Sequence, residues 1–330
     1  MKSIWRNLSI LSIAFAVIAM VGCDSVTEPT DTTPAVPKAP ASLEAKSVNQ
    51  TSIGLRWTLA ANDTVTPTGF VVEYGTKEST TRISLPVSGA STRTATVTGL
   101  TEGAIYEFAV YAMNDTVRSL ASPKVQWASA RRAEGTFKLY SSSSSSEGSG
   151  LGIFRAAGMP AVLKIANGGE WDLCFDDKEA GNPKIGSPGQ SRYVDAEYKF
   201  PNGQLSKTVY INDVVYTNVT SLDDVYESSP LTLPAVNGER MFPINGLPAS
   251  TSGIAFVMGT RDETDKKYNF AKVLLKKQSN GSYIMGSGAS AYVEVVVSYQ
   301  TVKDVPYAVK AKFDELDRLR HSAPAGPMAK

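Results

Sequence analysis

Alternation of apolar and polar residues is the feature that most narrows the folds open to this chain. Ile53, Leu55 and Trp57 fall at every second position of residues 52–57, and Phe70, Val72 and Tyr74 do the same in residues 69–74. Far downstream, Val293, Val295, Val297 and Tyr299 repeat the pattern. A period of two places all members of each set on one face of an extended strand. Each such strand has one apolar face to bury, and the short spacing between them calls for antiparallel sheets packed on each other.

Residues 41–45, 52–57, 69–74, 81–85, 94–97, 104–112 and 124–130 read as strands, spaced by Asn, Gly, Pro and Thr. Seven short strands in such a stretch predict a β-sandwich. Pro37 and Pro40 stand at its start, Trp57 in its second strand and Tyr74 in its third. Gly99-Leu100 is followed by Tyr106, then Phe108, Val110 and Ala112-Met113-Asn114. In these residues the segment 38–131 resembles a fibronectin type III domain. The resemblance implies a tyrosine corner at Leu100 and Tyr106, with the ring packed at the strand junction and its hydroxyl bonded to a backbone group. It also agrees with the lack of cysteine here, since that family has no immunoglobulin-type disulfide. Trp57 and Tyr106 are then core residues. No Arg-Gly-Asp tripeptide occurs, so integrin binding has no support, and a spacer without its own ligand is the plain reading of this module.

A second β-rich domain is expected over 134–303. Residues 135–140 suit a first strand, and the six serines 141–146 suit a loop inside the domain better than an interdomain linker. Further strands are read at 161–165, 171–175, 193–200 and 253–258, and at 268–276 and 291–299, with two short ones in 208–218. Phe270, Val273 and Leu275 mark a core-facing strand. Asn280-Gly281 signals a hairpin, and Ser221 with Asp224 signals a short capped helix through Tyr226. Asp304 and Pro306 open an amphipathic helix with Val309, Phe313 and Leu316 on one face, followed by a disordered tail. The fold class is all-β: a fibronectin type III sandwich, then a second β-rich sandwich or open barrel with a short C-terminal helix, the helix and its disordered tail taking up 304–330.

The strand Trp171-Asp172-Leu173-Cys174-Phe175 after Gly168-Gly169, and Tyr268-Asn269-Phe270-Ala271-Lys272-Val273 before the closing strand 292–299, resemble HmuY-type haemophore lipoproteins. That resemblance implies an all-β fold with a haem-facing cleft. The family's two histidine ligands have no counterpart here. Methionine can serve as an axial ligand, and Met159, Met241, Met258 and Met285 are available, although core filling is the commoner use of methionine.

The N-terminus carries Lys2 and Arg6, an apolar run over 8–21 and then Gly22-Cys23-Asp24. This is the layout of a secretory signal, and the cysteine after Gly22 makes residues 1–22 resemble a bacterial lipoprotein signal peptide. The resemblance implies that Cys23 becomes the lipidated N-terminus. Residues 23–37, rich in Thr, Pro and acidic groups, then form a flexible tether. Asp24, Glu28 and Asp31 resemble either an inner-membrane retention signal or a surface-export signal, depending on the bacterium.

Composition excludes several functions. The precursor carries a net charge of +1, and removal of Lys2 and Arg6 with the signal leaves 31 basic against 32 acidic residues. No basic excess exists to displace counterions from nucleic acid. With Cys23 lipidated, Cys174 is the one remaining thiol, placed in an apolar strand as a buried, inert residue. The single histidine, His321, lies in the last ten residues, which removes His-based catalysis and most zinc sites. Asp176-Asp177-Glu179 and Asp262-Glu263-Asp265 are candidate Ca²⁺ ligands, more simply read as solvated turn carboxylates. No catalytic, cofactor-binding or metal-binding residue is assigned. The expected function is a non-enzymatic, lipid-anchored binding or adhesion protein of the cell envelope, at the outer membrane or cell surface. Its partners are the membrane and a protein or glycan ligand. Haem or small-ligand capture by the second domain is the alternative, and carboxylate-pair hydrolysis stands third.

Overall fold

The computed structural model describes residues 34–194, 199–211, 216–228, 241–247, 249–262, 264–265 and 267–305, with 208–211 as backbone. The expected signal peptide, Cys23, most of the expected tether and the helix expected from Asp304, beyond Val305, lie outside the described residues. No helix among the described residues is long and apolar enough to cross a membrane.

The first sandwich is built from β1 (Ser42–Asn49), β2 (Ser52–Thr58), β3 (Gly69–Thr76), β4 (Ile83–Ser88), β5 (Thr94–Val97), β6 (Ile105–Asn114), β7 (Val117–Arg118) and β8 (Val125–Ala128). One sheet runs β1-β2-β5, the other β4-β3-β6, with β7 and β8 both pairing β6. The alternating residues do what their period requires. Ile53, Leu55 and Trp57 from one sheet meet Phe70, Val72, Phe108 and Val110 from the other in a single core. Trp57 and Phe70 rings lie 5.3 Å apart. The tyrosine corner is present: Thr101 N–H donates to the Tyr106 hydroxyl at 3.1 Å. On the outer face, Arg82 and Lys124 reach Glu107, and Arg118 reaches Glu73. Such exposed pairs contribute at most about 1 kcal/mol each.

The second part contains β9 (Arg131–Arg132), β10 (Phe137–Tyr140), β11 (Gly150–Gly152), β12 (Ala161–Leu163), β13 (Leu173–Asp176), β14 (Lys184–Gly186), β15 (Thr208–Ile211), β16 (Tyr216–Val219), β17 (Met241–Pro243), β18 (Gly253–Arg261), β19 (Tyr268–Leu275), β20 (Ile284–Met285) and β21 (Tyr292–Tyr299). The larger sheet runs β10-β21-β19-β18-β15, with β16 added to β18 and both β9 and β20 added to β21. The smaller runs β12-β11-β13-β14-β17. Their facing sides share one core: Val293, Val295 and Val297 of β21 and Val273 and Leu275 of β19 meet Leu151, Leu173, Phe175 and Ile185.

Four local expectations are revised. Phe270 is buried but falls on the opposite face of β19 from Val273 and Leu275, because odd and even residues separate in a strand. The strand expected from Trp171 begins at Leu173; Trp171 ends a 3-10 turn and packs its ring against Tyr193 and Phe200. Ser221 and Asp224 do form a capping box, yet the helix is a single 3-10 turn over Leu222–Asp224. Asp304 sits at φ +60° and accepts from Tyr268 N–H, so its carboxylate is engaged on β19. The serine run is a loop within the second sandwich, tied down where Ser142 N–H donates to Asp177 at 2.8 Å.

Candidate functional site

Two places concentrate polar groups that a β-sandwich does not need for its own sheets. One is the seam between the sandwiches, and the other is a hollow at the far end of β19.

The seam is organised by Glu227 and Lys272, whose side chains are both 0% exposed. Lys272 leaves the even face of β19. Its Nζ donates to Glu227 Oε2 at 2.8 Å and to the carbonyls of Leu222 and Val225 at 3.0 and 3.3 Å. Glu227 Oε1 accepts from Ser47 N–H of β1 at 2.6 Å and from Trp127 Nε1 at 3.3 Å. One carboxylate thus joins a lysine of one sandwich to backbone and indole donors of the other. Burial pulls the Lys272 ammonium below the ordinary lysine value, against the opposing pull of Glu227. The next residue continues the attachment. Ser228 N–H donates to Ala45 O at 3.2 Å, and Ala45 N–H donates to Ser228 Oγ at 2.5 Å. Residues 222–228 therefore form a strap that lies on the outer edge of β1. Tyr226 in the strap lies under Arg56, whose guanidinium carbon is 4.2 Å from the ring centroid. Arg132 grips Asp223 at 2.9 and 3.1 Å, holding that carboxyl below its usual range.

A second set of bonds closes the seam at the end of the first sandwich. Gln300 Nε2 donates to Ser129 O at 2.7 Å, Ser298 Oγ to Arg131 O at 2.9 Å and Thr301 Oγ1 to Glu102 at 2.7 Å. Gly103 is required here, at φ +75° and with Val302 Cγ2 2.4 Å from where a Cβ would stand.

The hollow has a volume of about 440 Å³. Val219 and Leu274 form its apolar floor, and Thr220, Thr251, Ser252, Lys276, Lys277 and Gln278 stand around it. The rim is fixed. Asn218, held at φ +59°, accepts from Thr251 N–H and Oγ1, both at 2.9 Å. The 278–282 turn closes with Gln278 N–H to Ser282 O at 2.8 Å, with Gly281 at φ +83° as its Asn-Gly sequence predicts. Lys276 meets Glu294 at 3.3 Å, and Lys277 donates to Ser250 O. Gln278 Nε2 is buried and has no hydrogen-bond partner among the described residues.

The residues singled out in the sequence are dispersed. Cys174 is a buried free thiol, pushed well above the ordinary cysteine value by burial. Met258 lies in the central core and Met241 in a separate cluster with Trp171. Met285 is half-buried on β20, and Met159 is 67% exposed. Asp176 accepts from Lys178 and Arg192 backbone amides, and Glu179 pairs with Lys184 and Arg192. Asp262 and Asp265 both hold Lys303, which with the Thr264 amide takes Asp262 down to about 2; Glu263 lies outside the described residues. These carboxylates are engaged by amides and cations of the chain itself. Asp172 is a buried carboxylate that sequence reading missed. It accepts from Ile153 and Phe154 amides and from Lys207, so its role is to fix the turn after β11.

Comparison with known proteins bears on the first sandwich. The fibronectin type III domain model matches residues 38–127. No curated protein matches the chain. Among solved structures, a myokine structure is 21% identical, over 29% of this chain and 99% of that one, with a TM-score of 0.26. The FN5 domain of Drosophila Lar is 21% identical over 28% of this chain and 97% of its own, with a TM-score of 0.25. The third fibronectin III domain of human KIAA0343 protein is 19% identical over 32% and 94%, with a TM-score of 0.28. Residues 38–127 are a fibronectin type III domain, built onto a second β-sandwich that lies outside the matched segment.

Proposed function

We propose that this chain is a non-enzymatic binding or adhesion protein of the cell envelope, lipid-anchored at Cys23. In this reading the fibronectin type III domain is a rigid post and the second sandwich is the ligand-bearing head. The observation that carries it is the path of the chain through the first sandwich. Residues 35–38 start at one end, where Asn114 Nδ2 donates to Ala35 O and Lys38 N–H to Asp63. The second sandwich is held at the other end, where Gln300 reaches Ser129, Thr301 reaches Glu102 and Val302 packs on Gly103, and along the β1 edge. The eight residues of β1 cover the distance between, ~24 Å at the rise of an antiparallel strand. A module bonded to the head at one end, and continuous with the tether at the other, sets spacing and orientation.

Anchoring is tested by growing the producing cells with labelled palmitate. The wild-type chain incorporates label and partitions with membranes, while Cys23→Ser loses both. Label retained on Cys23→Ser sinks the anchor. Haem capture remains the second reading of the head. A haemin titration of the mature chain, followed at the Soret band, gives a saturable shift that Met285→Ala abolishes if that reading holds.

A further inference from the structure

The hollow between β16, β18 and the 276–281 turn has a composition that selects a ligand. Its apolar lining comes from Val219 and Leu274, and it stays open because Gly253 between them has no side chain. A Cβ there would stand 2.7 Å from Leu274 Cδ1 and 2.9 Å from Val219 O. Around this floor the groups are hydroxyls and donors: Thr220, Thr251 and Ser252, then Lys276, Lys277 and the unpartnered Gln278 amide. A turn of the half-buried Gln278 side chain would bring its unpartnered amide to a ligand acceptor and satisfy that donor on binding. Two ammonium groups stand against the single carboxylate of Glu294, which reaches Lys276 from β21. The volume of about 440 Å³ is within the range of small-ligand sites. Asn218 and the Asn280-Gly281 turn pin the rim before any ligand arrives, which lowers the ordering cost of binding. The hollow also lies at the end of β19 away from Phe270 and Gln300, where the first sandwich is attached.

From this arrangement we infer that the hollow is a saccharide site whose ligand carries a carboxylate, as a uronic acid does. The inference rests on the binding reading above and names the class of ligand for its head. The carboxylate meets Lys276 and the Gln278 amide, while ring hydroxyls exchange hydrogen bonds with Thr220, Thr251 and Ser252.

The experiment applies the mature chain to an array of neutral and uronate-bearing oligosaccharides, then titrates the best uronate glycan calorimetrically. Uronate glycans bind, and their neutral counterparts bind at least tenfold more weakly. Lys276→Gln and Gln278→Leu each weaken binding about tenfold, and Lys276→Gln also flattens its salt dependence. Glu294→Gln tightens it, by releasing Lys276. Lys77→Gln, on an exposed lysine of the first sandwich, changes nothing. Both rim positions are half-exposed, so the variants keep the wild-type melting temperature. Binding of neutral glycans or proteins that ignores Lys276 and Gln278 overturns this inference and leaves the binding reading in place. No binding to any glycan on the array, nor to any protein in a matching screen of envelope proteins, removes both.

Discussion

The two sandwiches bury their central strands differently. In the fibronectin type III domain, β2 alternates: Ile53, Leu55 and Trp57 are buried, and Arg56 and Thr58 are exposed. Its sheets have one core face and one wet face, dressed with pairs such as Arg82–Glu107. In the second sandwich every residue of β18 and β19 is buried. One face meets the smaller sheet, and the other meets the strap, where Val219, Leu222 and Val225 cover Ala255 and Leu274. A sheet covered on both sides has to place its polar residues somewhere dry. Lys272 is that residue here, and Glu227 is the answer to it. Among the described residues the first domain buries no charged side chain, whereas the second carries a buried ion pair whose partners are shared with its neighbour.

The sharpest way to break this contrast is to remove one charge from each region. Glu227→Ala leaves a buried ammonium without its counter-charge and the Ser47 amide without this acceptor, and should cost about 3–5 kcal/mol. Glu107→Ala on the wet face of β6 should cost under about 1 kcal/mol. Urea denaturation of both variants measures the difference, and equal losses would mean that the seam is hydrated. Next in size is Gly150→Ala, where a Cβ would stand 2.0 Å from the Trp171 ring. Such overpacking typically costs 1–3 kcal/mol, about as a core strand of either sandwich would. Near-UV circular dichroism should show the displaced indole. Smaller again is Tyr106→Phe, which removes the acceptor for Thr101 N–H and should cost ~1 kcal/mol without moving the second sandwich. Hydrogen exchange at Thr101 reads it directly.

The smallest effect is the pH dependence contributed by one ion pair of the second sandwich. Asp262 titrates at about 2 in the fold, against an ordinary value of 3.8, chiefly because Lys303 bonds its carboxylate. A depressed carboxyl adds stability that is complete above the ordinary value and is lost as pH falls through 4 toward 2. Both side chains are about a third exposed, so the gain stays below about 1 kcal/mol. Lys303→Met should flatten the stability profile over that window and leave neutral pH nearly unchanged. A variant as acid-sensitive as the wild type would remove this role for Lys303.

The domain that alternates was the domain that could be read. Trp57, Tyr74, Leu100 and Tyr106 fall where the fibronectin type III resemblance implies, since one-sided burial writes itself into a period of two. β21 was legible for the same reason through Val293, Val295 and Val297. β19 misled in part: with both faces buried, Phe270 could be assigned to the wrong side. Glu227 had no signal at all, because it sits next to Tyr226 in a short irregular segment. Lys272 looked like any lysine between apolar neighbours. Their pairing spans 45 residues and depends on β1 and Trp127 of the other sandwich. The hollow was invisible for a related reason: its wall comes from three separated segments, and only the Asn280-Gly281 turn announced itself.

The strap on β1 also sets how the molecule carries mechanical load. Tension applied at Ser42 and resisted in the second sandwich runs along the length of β1. β1 is bonded to β2 on one side, and to Ser228 and Glu227 on the other. Antiparallel ladder bonds lie across the strand direction. Such a pull therefore shears many bonds together, where a peeling pull would open them singly. Cutting the strap would halve the number of strands holding β1 in place and turn a stiff link into one that yields at lower force.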